Sequence, residues 1–98
     1  MFGFLKNLFP KSRSEILVSN LIDMAEVFGL PAQDVLNARE MLEYNEWEVG
    51  FDTAVTQLYE YSIPVNKEFI DLANEAMKEM KIDSRKYDFI NRLVERKK

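Results

Sequence analysis

The sequence predicts an all-α fold: a compact bundle of four to five short antiparallel helices in a single domain spanning residues 1–98. The chain has only three glycines and three prolines among its 98 residues, whereas leucine, methionine, glutamate and lysine, which favour helix, are frequent. Apolar residues recur at helical spacing along most of the chain, and no segment shows a convincing strand pattern. Short connections between the predicted helices favour antiparallel neighbours.

The first predicted helix spans residues 12–28. Its start, "SRSE", has the form of a capping box at Ser12. Gly29 ends the helix, because glycine can adopt the left-handed conformation after the last turn, and Leu30 can then fold back against that turn. The apolar stripe that predicts this helix comprises Leu17, Leu21, Met24, Ala25 and Phe28.

The second helix is predicted from Pro31 to Asn45, where asparagine is a plausible left-handed cap, and the third covers about residues 47–59. Gly50 costs the third helix about 1 kcal/mol relative to alanine, which predicts close approach of another helix or of a partner backbone. Pro64 ends this region, because it restricts the residue before it to extended geometry. The inward positions of the two helices are Val35, Ala38, Met41, Leu42, Trp47, Phe51, Ala54, Val55 and Leu58.

The fourth and fifth predicted helices both have polar caps. Asn66 caps the fourth, with Val65 and Ile70 at the positions of a hydrophobic staple, and Asp83 or Ser84 caps the fifth. The fourth helix has the clearest stripe in the chain, formed by Phe69, Leu72, Ala73, Ala76, Met77 and Met80. The fifth is expected to bury Tyr87, Ile90, Leu93 and Val94, and its basic end "RKK" suits the negative pole of a helix.

Residues 1–11 form a short apolar segment ahead of the first helix. The run is interrupted by Lys6 and Asn7 and ends at Pro10, so it is too short and too broken for a secretory signal. We expect it to dock on the domain's own core, because a short helix with a single lysine binds a membrane weakly. Its candidate apolar face comprises Met1, Phe2, Leu5, Leu8 and Phe9.

The absence of cysteine and histidine argues against an enzyme. Both residue types are missing from the chain, which removes thiolate chemistry, the commonest general base and the commonest metal ligand. A di-iron bundle needs Glu-x-x-His pairs, and no neighbour of the acidic residues would obviously raise a carboxyl pKa for acid–base catalysis. We therefore predict no catalytic residue, no metal, no cofactor and no small-molecule substrate.

Charge is strongly segregated along the chain, whose formal total is −4. Residues 31–62 carry seven acids against Arg39 alone, whereas residues 81–98 carry seven bases and three acids. Acids four residues apart repel each other on a helix, so a cluster without compensating lysines favours a cationic partner. Two alternatives stay open: the acids are simply solvated, or the basic segment after Lys81 is their intramolecular partner.

The acidic run is densest in "EYNEWEVGFD", residues 43–52. Trp47 and Phe51 lie on the inward stripe and are expected to anchor the helix junction into the core. The acids and nearby tyrosines instead combine charge with apolar area, as protein-binding surfaces do. The predicted partner-binding residues are Glu43, Tyr44, Glu46, Glu48, Asp52, Tyr59, Glu60 and Tyr61.

The stretch "LEYNEWEVGFDTAVTQLYEY", followed by "IPVNKEFIDLANEAMKEM" and a final short helix, resembles small bacterial immunity proteins of the MafI type, related to those of contact-dependent inhibition systems. The similarity covers about residues 36–94. It implies a cytoplasmic, non-enzymatic protein that binds and blocks the C-terminal toxin domain, often a nuclease with a basic cleft, of a cognate polymorphic toxin. An acidic surface can occupy such a cleft and accelerate association.

Three other functions compete with this one. The first is a cytosolic helical adaptor or regulator, which could associate with a membrane through "MFGFLKNLF". The second is direct nucleic-acid binding through residues 81–98, which the acidic middle opposes by repelling phosphate. The third is a carboxylate-dependent metalloenzyme. We expect neither nucleic acid nor a membrane as the direct partner.

Overall fold

The computed structural model describes residues 11–94, and these contain four α-helices followed by a 3₁₀ segment. No β-strand occurs within this range, where a single isolated parallel bridge joins Val65 and Val94. The all-α prediction is confirmed, whereas the predictions for the apolar N-terminal segment and the basic C-terminal end lie outside the described residues. The helices are α1 (Arg13–Phe28), α2 (Ala32–Glu43), α3 (Trp47–Glu60) and α4 (Lys67–Glu79), and the 3₁₀ segment is Ser84–Leu93.

Helix α1 lies at the centre of the bundle. It contacts α2, α3 and α4, and the 3₁₀ segment lies against α3 and α4. Because α1 has neighbours on several sides, it buries Val18 and Ile22 in addition to the stripe predicted for it. The largest fully enclosed side chains are Phe51, Phe69, Leu21, Ile22, Leu58, Met77 and Ile90, and they belong to one core. No helix within residues 11–94 is long and apolar enough to cross a membrane.

The predicted caps at the helix starts are present. The Ser12 hydroxyl accepts a hydrogen bond from the backbone N–H of Glu15 at 3.1 Å, and the Asn66 side chain accepts one from Phe69 at 2.9 Å. Asp83, not Ser84, caps the 3₁₀ segment by accepting from the backbone of Arg85 at 3.0 Å. Each of these bonds satisfies a backbone donor that has no partner within its helix.

All four α-helices end in the same backbone motif. One residue just beyond the last helical turn has a positive φ, and two backbone hydrogen bonds close a Schellman turn around it. The sequence predicted this conformation at Gly29 and Asn45 but not at Ser62 and Lys81, whose residue types rarely adopt it. Their φ angles are 52° and 59°.

The next residue in each turn distinguishes one corner from the others. Leu30 is only 4% exposed, and Ile63 and Ile82 are partly buried against the core. Glu46 takes the same position after α2, with its N–H donating to the carbonyl of Met41 at 2.8 Å, yet its side chain is exposed. An apolar residue usually packs at this place, so the α2–α3 corner departs from the pattern of the other three.

Gly50 allows α2 and α3 to approach closely. A Cβ atom at this position would lie 3.1 Å from the carbonyl oxygen of Ala38, a distance shorter than ordinary van der Waals contact. Gly50 is buried. The predicted close approach is therefore confirmed, and it is made by another helix of the same domain.

The fifth predicted helix is present, and it has 3₁₀ geometry in place of regular α-helical geometry. Residues 84–93 form 3₁₀ structure with a break at Tyr87, whose φ of −123° lies outside the helical range. Tyr87, Ile90 and Leu93 are all buried, and their spacing of three matches the three residues per turn of a 3₁₀ helix, in which such residues share one face. Packing of this face against α3 and α4 favours the tighter helix.

Candidate functional site

The eight predicted partner-binding residues lie in three groups along α3. Glu43, Tyr44 and Glu46 form the corner between α2 and α3; Glu48 and Asp52 lie in the first two turns of α3; and Tyr59, Glu60 and Tyr61 lie at its end. Helix α3 has 14 residues, so its two ends are about 20 Å apart. The structure therefore extends the predicted surface along one helix, and it does not gather these residues into a single cleft.

We define the acidic corner as Glu43, Tyr44, Glu46 and Glu48. The three acids are exposed, and Tyr44 is 58% exposed. Tyr44 is the C-cap residue of α2, and Glu46 is the N-cap residue of α3 without a capping hydrogen bond from its side chain. The Glu46 carboxylate therefore plays no part in capping the helix that it precedes.

The one base of the middle region does not neutralise the acidic corner. Arg39 extends from α2 towards α1, where its guanidinium lies 2.9 Å from a carboxylate oxygen of Asp23 and 2.9 Å from one of Glu26. Within residues 11–94, Glu43 and Glu46 form no ion pair. The corner thus presents negative charge that residues 11–94 leave largely unpaired.

An open hollow of about 300 Å³ adjoins this corner, between the start of α3 and the 3₁₀ segment. Lys86 is the one base on its edge, with its ammonium nitrogen 3.8 Å from a Glu48 oxygen and 5.6 Å from the centre of the Tyr87 ring. The suggested pairing of the basic C-terminal segment with the acidic middle is thus limited, among the described residues, to this one loose contact. The lining residues are Glu46, Glu48, Val49, Asp52, Lys86 and Tyr87.

Asp52 has a structural partner that sequence analysis missed. Its carboxylate accepts a 2.7 Å hydrogen bond from the hydroxyl of Tyr87, a residue that is only 3% exposed and whose ring packs edge-on against Phe51 with centroids 5.1 Å apart. Burial raises the pKa of the Tyr87 phenol above its ordinary value, and the hydrogen bond to Asp52 raises it further. Asp52 thus helps to hold the 3₁₀ segment on α3.

The far end of α3 is less acidic and partly covered. The Tyr59 ring packs edge-on against Phe89 with centroids 4.8 Å apart and is 36% exposed, whereas Tyr61 is 53% exposed. A second open hollow of about 550 Å³ lies here, and both an acid, Glu60, and a base, Arg92, line it. Its lining residues are Tyr59, Glu60, Ser62, Pro64, Arg92, Leu93 and Val94. The negative potential is therefore expected to be strongest at the acidic corner.

The described residues offer no evident metal centre. Within residues 11–94, no three acidic side chains come together in a way that could hold a metal ion. The arrangement of carboxylates and exposed aromatic rings is one that suits binding to another protein.

Comparison of the chain with protein-family models, with curated proteins and with solved structures gives no match. The resemblance to MafI-type immunity proteins therefore stays a prediction.

Proposed function

We propose that this protein binds a cationic protein domain and neutralises it, in the manner of an immunity protein. One observation carries the proposal: the acidic corner exposes three carboxylates and a tyrosine, and Glu46 occupies a position that is apolar at the other three helix ends. Departures from local folding rules concentrate at functional sites, because selection there acts on binding in addition to stability.

Electrostatics favour a basic partner. Exposed carboxylates that residues 11–94 leave largely unpaired produce a negative potential, which steers cationic surfaces into encounter and accelerates association. Tyr44 and Tyr61 add exposed aromatic area, which is the chemistry of interface hot spots. A standard interface covers about 800 Å² on each partner, a patch about 30 Å across, so both ends of α3 fit within one interface.

The resemblance to immunity proteins narrows the class of partner. Under it, the partner is the C-terminal toxin domain of a secreted polymorphic toxin, and a nuclease with a basic, phosphate-binding cleft suits the acidic corner best. The carboxylates of Glu43, Glu46 and Glu48 would pair with lysine and arginine side chains that otherwise contact nucleic acid.

The test begins with the reading frame directly upstream of this chain's gene, which the proposal predicts to encode a large secreted protein, and it uses the C-terminal domain of that protein. We expect its expression to inhibit bacterial growth and co-expression of this chain to restore growth, with direct binding of the purified proteins. Growth inhibition without rescue or binding would contradict the proposal, as would the absence of any such toxin gene.

Charge reversal locates the surface. Replacement of Glu43, Glu46 and Glu48 by lysine should slow association by at least about tenfold at low salt and abolish protection. Asp52 is left unchanged, because its carboxylate holds Tyr87.

The matched control carries the same charge change on another helix. It replaces three exposed acids of α4, Glu68, Asp71 and Glu75, by lysine. Circular dichroism should show both variants folded, and the control should keep most of its binding. Equal losses in the two variants would show that net charge, and not the acidic corner, determines binding.

A further inference from the structure

We infer that Lys86 is an intramolecular competitor that occupies the place of a partner's arginine side chain beside Glu48. The inference rests on the proposed function and adds a regulatory contact to the same surface. It starts from a cation that the fold itself places at the edge of the hollow next to the acidic corner.

The position of Lys86 follows from the anchoring of its neighbour. The buried ring and hydroxyl of Tyr87 are held by Phe51 and Asp52, and the backbone breaks at Tyr87 within the 3₁₀ segment. Lys86, the residue before Tyr87, therefore lies over the first turns of α3. Its ammonium lies near the Glu48 carboxylate and 5.6 Å from the Tyr87 ring centre, where an aromatic face attracts a cation.

The contact is loose enough to be replaced. The distance of 3.8 Å between the Lys86 nitrogen and the Glu48 oxygen is longer than a hydrogen bond, and both side chains are more than half exposed. Exposed pairs of this kind are weak, so a partner's cation can displace Lys86 into solvent at a small cost.

An arginine from a partner fits this place better than Lys86 does. A guanidinium can donate two parallel hydrogen bonds to one carboxylate, which a single ammonium cannot do. The hollow also exposes Val49, which is 44% accessible and can pack against the methylene groups of an arginine. The Glu48 carboxylate would thus select arginine over lysine, and Lys86 would discourage weak, non-cognate cations.

The experiment titrates the whole protein with N-acetyl-arginine methylamide and follows the Val49 methyl signals by nuclear magnetic resonance. We expect Lys86→Ala to strengthen binding of this probe about two- to fivefold, the range that a surface ion pair allows. Lys78→Ala, which removes one exposed lysine from α4, is the matched control and should change binding less. The matching lysine derivative should bind more weakly than the arginine probe.

A double variant isolates the contact. In the Glu48→Gln background the gain from Lys86→Ala should disappear, because the carboxylate for which Lys86 competes is gone. Equal gains in Lys86→Ala and Lys78→Ala, or a gain that persists in Glu48→Gln, would overturn the inference. Either result leaves the proposed function standing, since toxin binding and growth protection are measured separately.

Discussion

The α1–α2 and α2–α3 corners share one backbone design and differ in what their side chains do. Both close in a Schellman turn, around Gly29 in the first and Asn45 in the second. The following residue is Leu30, which packs into the core, in one corner and Glu46, which is exposed to solvent, in the other. The backbone motif alone therefore suffices to reverse the chain, and the apolar contact that often accompanies it is dispensable.

The difference matches the proposed function, in which the first corner serves stability and the second serves binding. In the first corner, the side chain of Leu30 packs into the core and stabilises it. In the second corner, this contribution comes from the residues that follow Glu46: Trp47 packs against the core and Phe51 lies within it. The side chain at Glu46 is thus free for another task, and its charge is left unpaired by the described part of the chain.

The largest expected effect comes from making the first corner resemble the second. Leu30→Glu should lower the free energy of unfolding by about 4 kcal/mol, because it removes a buried side chain and places a carboxylate among apolar groups. Urea denaturation at neutral pH measures the change, with Leu30→Ala as the reference for lost packing alone. A loss below about 1 kcal/mol would show that this corner does not depend on its apolar contact.

A second change tests the support beneath the acidic corner. Gly50→Val should lower the free energy of unfolding by about 2–3 kcal/mol, because the added side chain would collide with the backbone carbonyl of Ala38. Thermal denaturation gives the shift in midpoint. Val49→Ala, at the neighbouring exposed position, is the control and should change the midpoint little.

A third change tests whether Asp52 has a structural role, in contrast to the acids of the acidic corner. Tyr87→Phe removes the hydroxyl that donates to Asp52 and should cost about 1 kcal/mol at neutral pH. The folded protein keeps the Tyr87 proton that the unfolded chain loses above pH 10, the ordinary pKa. The stability of the original protein therefore falls as the pH rises above this value.

Phenylalanine has no hydroxyl proton to lose, so the stability of the Tyr87→Phe variant does not show this part of the decline with rising pH. Its stability deficit should shrink between neutral pH and pH 11, as measured by urea denaturation at each pH. A deficit that stays constant over this range would contradict the raised pKa of Tyr87.

The smallest effect on stability is expected from making the second corner resemble the first. Glu46→Leu should change the free energy of unfolding by no more than about 0.5 kcal/mol, as is usual for an exposed position. Under the proposed function, association with the cationic partner domain should nevertheless slow, because a carboxylate that would steer this partner is lost. Stopped-flow fluorescence of Trp47 can follow this rate, and an unchanged rate would remove Glu46 from the interface.

Local signals were sufficient to predict much of the fold. The periodicity of apolar residues predicted four α-helices to within a few residues, and Ser12, Gly29, Asn45 and Asn66 marked ends that the structure confirms. Such features depend on neighbours within one or two turns. The left-handed residues Ser62 and Lys81 escaped prediction, because nothing in their residue types favours a positive φ.

The candidate site was predictable in composition but not in arrangement. The acidic run between the second and third helices is visible in the sequence, and the structure exposes Glu43, Glu46 and Glu48 there. The hydrogen bond from Tyr87 to Asp52 joins residues 35 positions apart. No local pattern could show that Asp52, one acid of this run, stabilises the fold by binding the Tyr87 hydroxyl.

The sequence by itself determined the class of the fold, the ends of most helices and the separation of charge along the chain, because short-range backbone and side-chain preferences decide these properties. Only the tertiary structure decided that residues 84–93 form a 3₁₀ segment, that Arg39 turns towards α1, and that Asp52 holds Tyr87. Each of these outcomes depends on which helices pack together, and packing joins residues that are distant in the chain.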